Sequence, residues 1–167
     1  LNHLSKGGVD AFIQAEGLAD APVYALCQTH VLPTLLSTPK GLYQVRQERA
    51  VPLMVPGAET MARGIFRCLH PDFNQGFWAG GDAGLIRFQA SGSANTVPLA
   101  QDTADAVLAL VRGRGGMRWA GTSAGALYEV AAKPGVPDAR LVWKFPGAVA
   151  ALVCVAVGAS PPVHQVG

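Results

Sequence analysis

Four short apolar runs recur along the chain at one interval. They are Val23-Tyr24-Ala25-Leu26-Cys27, Ile65-Phe66-Arg67-Cys68-Leu69, Val107-Leu108-Ala109-Leu110-Val111 and Val149-Ala150-Ala151-Leu152-Val153, and they begin at positions 23, 65, 107 and 149. A repeat of about 42 residues built on five-residue runs without polar alternation implies strands covered on both faces. Stacked repeat architectures impose that condition, because each unit buries its faces only against its neighbours.

A second element follows the first three runs. It reads Leu35 to Tyr43, then Phe77 to Ile86, then Arg118 to Tyr128, and each copy has the form strand, small-residue turn, strand. That is the pattern of a hairpin, in which glycine supplies positive φ and small residues admit a neighbouring layer. A third element, Val51-Pro52-Leu53-Met54, Val97-Pro98-Leu99 and Leu141-Val142-Trp143, twice carries proline. Proline donates nothing to a ladder and belongs at a sheet edge. Four strands per repeat are the signature of a propeller blade. The sequence therefore predicts one all-β domain over 1–167, β-propeller-like, with about four blades and inner strands near 23–27, 65–69, 107–111 and 149–153. Gly7 to Phe12 resembles the third strand of a blade, and Ser160 to His164 lacks the hairpin pattern. A blade completed from both termini and a piece of a larger propeller both yield such ends.

Composition narrows the function classes. Of the 167 residues, 50% are apolar and 14% charged, a globular balance that argues against disorder. A net charge of +2 gives no electrostatic footprint for nucleic acid. The Gly147 to Ala159 stretch is too short for a spanning helix, so no membrane insertion is expected. Residues 1–20 show no signal-peptide pattern. Cys27, Cys68 and Cys154 have no CxxC spacing and read as buried thiols, with neither a disulfide framework nor a metal site.

The segment Ala106 to Leu110, leading through Gly115-Gly116 to Trp119-Ala120-Gly121-Thr122-Ser123-Ala124-Gly125-Ala126-Leu127-Tyr128, resembles the two-component regulator propeller repeat. Phe77 to Phe88 is a second copy and Leu35 to Val45 a weaker third. The resemblance implies a sensor propeller of a bacterial signalling protein, extracytoplasmic, that binds a ligand or drives dimerisation.

Enzyme signatures are absent: no phosphate-binding loop, no nucleophile elbow in a strand-to-helix turn, no zinc-ligand spacing. Ser123 sits in a hairpin, the Arg112-Gly113-Arg114-Gly115-Gly116 run reads as a turn, and Trp78 and Trp119 read as blade packing. No catalytic residue and no cofactor are assigned. Two features point to a ligand. Arg67 stands among small apolar equivalents, where a charge either pairs with Asp72 or Glu59, meets an external anion in the central channel, or points to solvent at a blade edge. Gln28, His70, Arg112 and Cys154 each follow an inner run, and a common register would set them in a ring around the axis. The expected function is a non-catalytic ligand-sensing module, with Arg67, Gln28, His70 and Arg112 facing a small anion or a partner protein. The alternatives are a structural piece that completes a ring by homo-oligomerisation and a propeller lyase or hydrolase.

Overall fold

In a computed structural model the chain is described over residues 2–5, 8–11, 18, 21–28, 33–47, 49–72, 76–99, 105–113, 116–131 and 137–152. Fourteen strands are present among these residues. β1 (Asn2–Ser5) and β2 (Gly8–Ala11) form an antiparallel hairpin of their own. The other twelve form three four-stranded antiparallel meanders. The first blade is β3 (Ala25–Cys27), β4 (Leu35–Thr38), β5 (Gly41–Arg46) and β6 (Arg49–Pro52). The second is β7 (Phe66–Pro71), β8 (Phe77–Gly81), β9 (Gly84–Phe88) and β10 (Ala94–Val97). The third is β11 (Val107–Arg112), β12 (Arg118–Thr122), β13 (Ala126–Ala131) and β14 (Asp138–Lys144). The inner strands β3, β7 and β11 lie side by side, and the proline-bearing element forms the outer strands. This is the propeller-like, blade-by-blade fold that the repeat predicts.

The blades form where the sequence asks for them. β4–β5 and β8–β9 close through two-residue turns that end on Gly41 and Gly84, whose φ of 113° and 86° excludes a β-branched side chain. Between the first and second blades the core is apolar, with Leu35, Leu42, Phe66, Phe77 and Phe88 buried. Phe77 stacks on Phe88 at 4.7 Å between ring centroids, and Phe66 meets Phe88 edge-on. Between the second and third blades, Trp78, Leu85 and Val97 pack on Val107, Ala120, Tyr128 and Val130. Gly80 admits that contact, since a Cβ there would stand 2.6 Å from Val107 Cγ1 and 2.7 Å from Cys68 Sγ.

The strand equivalences differ from the interval read in the sequence. Ala25, Cys68 and Ala109 pair with Ser37, Gly80 and Gly121, the residues at matching places in the three hairpins. Successive equivalents at 25, 68 and 109 are 43 and 41 residues apart, so the constant interval of 42 holds for the apolar runs but not for the ladders. A bulge in β7 that β3 lacks lengthens the first interval; the second is shorter because the hairpins themselves, at Gly80 and Gly121, are 41 apart, and β7 and β11 are bulged alike. β7 carries a register shift between Phe66 and Cys68, and β11 carries one between Val107 and Ala109. Each bulge admits one extra residue, Arg67 or Leu108. The run at Val149 forms no strand over 149–152, and its remainder lies outside the described residues. Val149 nonetheless packs over Gly121 as Val107 packs over Gly80, and its N–H donates to the Thr122 carbonyl.

Candidate functional site

Where β7 and β11 end, the second and third blades enclose a cluster of charge. Asp72, directly after β7, is buried and accepts from two guanidiniums: Arg118 Nη2 on Oδ1 at 2.7 Å and Arg87 Nε on Oδ2 at 2.8 Å. Arg87 belongs to β9 and is 6% exposed; Arg118 opens β12 and is 2% exposed. Both guanidiniums approach the ring of the fully buried Trp78, at 5.4 and 4.7 Å from its centroid. Arg118 Nη1 also donates to the Gly116 carbonyl at 3.3 Å. An aromatic face attracts cations, and the carboxylate of Asp72 is shared by two guanidiniums.

The local sequence explains this placement. Arg118 occupies the repeat position that Phe77 holds in the second blade, directly before the tryptophan. In the second blade that position stacks within the apolar seam; in the third it brings a charge into the next seam. Arg87 pairs across the ladder with Trp78, just as Gln44 pairs with Leu35 and Glu129 with Trp119. A polar residue thus recurs at this point of the third strand.

His70 and Arg112 join the cluster from the two inner strands. His70 pairs with Trp78 and Arg112 with Arg118, so the two face one seam from its opposite walls. Both are half-buried. His70 Nδ1 lies 2.9 Å from the Pro71 carbonyl oxygen. A carbonyl only accepts, so Nδ1 carries the proton and Nε2 of the neutral ring keeps its lone pair. Burial is the main cause that lowers the His70 pKa; Arg118 and Arg112 add to it, against the Pro71 bond and Asp72. For Asp72, burial acts to raise the pKa. The charges of Arg118 and Arg87 and the bond from Arg87 outweigh it, and the carboxyl lies below its ordinary value. Among the described residues named here, the cluster at neutral pH brings together three guanidiniums, the Asp72 carboxylate and a neutral imidazole.

The residues singled out from the sequence do not form one ring. His70 is equivalent to Cys27 and Val111, whereas Arg112 is equivalent to Pro71. A one-residue offset turns a side chain to the other face of its strand, and that offset is what lets His70 and Arg112 meet across the seam. Gln28 is exposed after β3, outside this cluster, and Cys154 lies outside the described residues. Arg67 is not one of a row of small apolar equivalents: it is the bulged residue of β7. It is exposed and pairs with Asp82 of the β8–β9 turn at 3.3 Å, not with Asp72 or Glu59, and it lies over the Tyr24 ring at 5.0 Å. Trp119 is half-buried, unlike Trp78. Cys27 and Cys68 are free thiols, and burial pushes their pKa up to about 11 and about 12. Among the described residues no three His, Cys, Asp or Glu side chains group to hold a metal, and no helix is long and apolar enough to cross a membrane.

Sequence reasoning missed Asp72, Arg87 and Arg118 as a cluster. A signal for it existed: the charge at Arg118 in the place of Phe77.

No family model and no curated protein matches the chain. Solved structures do. The extracellular domain of the hybrid two component system BT3049 from B. thetaiotaomicron superposes with a TM-score of 0.59 at 14% identity, over 77% of this chain and 16% of that one. The extracellular domain of BT4673 from the same organism gives 0.55 at 20% identity, over 73% and 16%. The chain thus spans about a sixth of the length of either structure. At these identities the likeness is one of fold: three blades that match a small part of larger sensor domains.

Proposed function

We propose that the chain is a non-catalytic recognition module, a set of sensor-propeller blades that binds a small anion where the inner strands of the second and third blades end. One observation carries this reading: half-buried Arg112 and His70 stand on the two inner strands that flank a seam in which Arg87 and Arg118 both donate to Asp72. A half-buried guanidinium suits a carboxylate, sulfate or phosphate, which it meets with paired N–H donors. The fold likeness to extracellular sensor domains supports the same reading. Thermal melts of wild type and Arg112→Ala with sodium sulfate, against sodium chloride at equal ionic strength, test it. Sulfate should raise the wild-type Tm by mass action and raise that of Arg112→Ala much less. Equal responses in the two proteins exclude this site.

A second reading, self-association, rests on a separate observation. β14 is an outer strand on which Leu141, Val142 and Trp143 are exposed, with Phe145 just beyond it and Trp143 at 61%. Such an edge is a template for pairing with another chain.

A further inference from the structure

We propose that two copies of this chain associate through the exposed outer edge of the third blade, patch on patch about a twofold axis. The proposal rests on the self-association reading above and names its partner and its surface.

The surface is built by β14 and Phe145 beyond it. Every residue of β14 except Ala139 is exposed. Leu141, Val142, Trp143 and Phe145 are four of the eight large apolar side chains exposed among the described residues, and they fall within five positions. The Trp143 and Phe145 rings lie 6.4 Å apart between centroids. Val142 is the extra residue where the ladder to β13 shifts register, so apolar side chains wrap the edge. Single apolar residues on a surface are ordinary, whereas a contiguous patch with two aromatic rings marks an interaction site. The other blades are built differently: β6 and β10 have four residues each and bury one of them, while β14 has seven and buries none. In the second blade the equivalent place is covered. Leu85 pairs with Val97 there as Leu127 pairs with Trp143 here. Val97 is 2% exposed, with the third blade packed on it, but Trp143 is 61% exposed.

A second copy is the partner that fits. Head-to-tail stacking needs the far face of the first blade, and that face is closed: Leu36 and Tyr43 are buried, with Leu18 and Val23 packed on them. The patch therefore meets its own equal, and a twofold contact closes on itself without propagating. Antiparallel strands bring the Asp138 end of one β14 beside the Lys144 end of the other, where parallel strands would set like charges together. Asp138 keeps the interaction it has within its own chain. Full cover of one aromatic side chain removes about 150–250 Å² from water. Two copies of a patch with two such rings, Leu141, Val142 and a polar rim bury on the order of 1,000 Å² in total, the lower bound of a specific interface. A weak, reversible dimer follows.

Sedimentation velocity over a series from low micromolar to near-millimolar protein tests this on wild type, Trp143→Glu, Val142→Lys and Met54→Glu, each checked for folding by circular dichroism. Wild type should pass from monomer to dimer and go no further. Trp143→Glu should raise the dissociation constant by about tenfold or more, the effect of losing a central aromatic anchor. Val142→Lys should weaken the dimer as well. Met54→Glu alters an exposed apolar residue of the first blade, away from this patch, and should dimerise as wild type does. If wild type dimerises and both β14 variants match it, this surface is overturned while self-association stands. Species that keep growing with concentration overturn the twofold contact alone. A wild type that stays monomeric throughout overturns both.

Discussion

Asp72 and Arg67 present opposite cases of a charged residue in a mostly apolar chain. The Asp72 carboxylate is a counter-charge for two buried guanidiniums, and its removal takes that partner from both. Asp72→Ala should therefore destabilise by about 3–5 kcal/mol, measured by urea unfolding. Arg67→Ala removes an ion pair whose side chains are 40% and 47% exposed, and should cost about 0–1 kcal/mol in the same experiment. A comparable loss for both would mean that Arg67 holds the first two blades together through Tyr24. Acid should reproduce the effect at Asp72. Its pKa is depressed in the folded chain, so as the pH falls the unfolded chain binds the proton first. The stabilisation is complete above the ordinary carboxylate range and is lost as the pH drops through the folded value. His70 acts in the same direction at higher pH. Its folded pKa is below 6.5, so stability falls as the pH drops below about 6.5 through that value. Melting temperatures should accordingly decline in two stages, and His70→Gln should remove the first.

At the scale of the strand, the seams depend on small residues that set how closely blades approach. Gly80→Ala places a Cβ against Val107 and Cys68, and the blades must separate or the side chains shift. A loss of about 1–3 kcal/mol by thermal unfolding is the expected result of such overpacking. The two tryptophans separate core from surface. Trp78 is fully buried between blades and receives two guanidiniums, so Trp78→Ala should cost about 3–5 kcal/mol. Trp119 holds the same place in the repeat and reads in the sequence as the same packing residue. In the structure it lies on the outward face of the third blade and is half-buried. Trp119→Ala should cost less than about 2 kcal/mol. Equal costs would show that this outward face is covered in solution.

For the molecule as a whole, the three blades bury two seams and expose the outer strand of the third. The proline of the first two outer elements, Pro52 and Pro98, has no counterpart in β14. Trp143→Glu should leave the fold intact and, where the chain self-associates, shift sedimentation from dimer to monomer. A wild type that sediments as a monomer at high concentration removes the self-association reading and leaves recognition in place.

The unit of the fold is legible along the chain: apolar five-residue runs at a fixed interval, hairpins closed by glycine, and prolines at outer edges. These are local signals, written in residues close along the chain, and they set four strands to a blade. The register between blades was not legible in the same way. The apolar runs keep an interval of 42 while the hairpins they pair with are spaced 43 and 41 residues, so constant spacing does not set Gln28, His70 and Arg112 in one ring. Nor could local pattern show that Asp72, Arg87 and Arg118, which belong to two blades and lie up to 46 positions apart, share one buried contact. Only the packing of one blade on the next decided that, because the desolvation of a charge and the partner that offsets it depend on what faces it across the seam, which no run of neighbouring residues specifies.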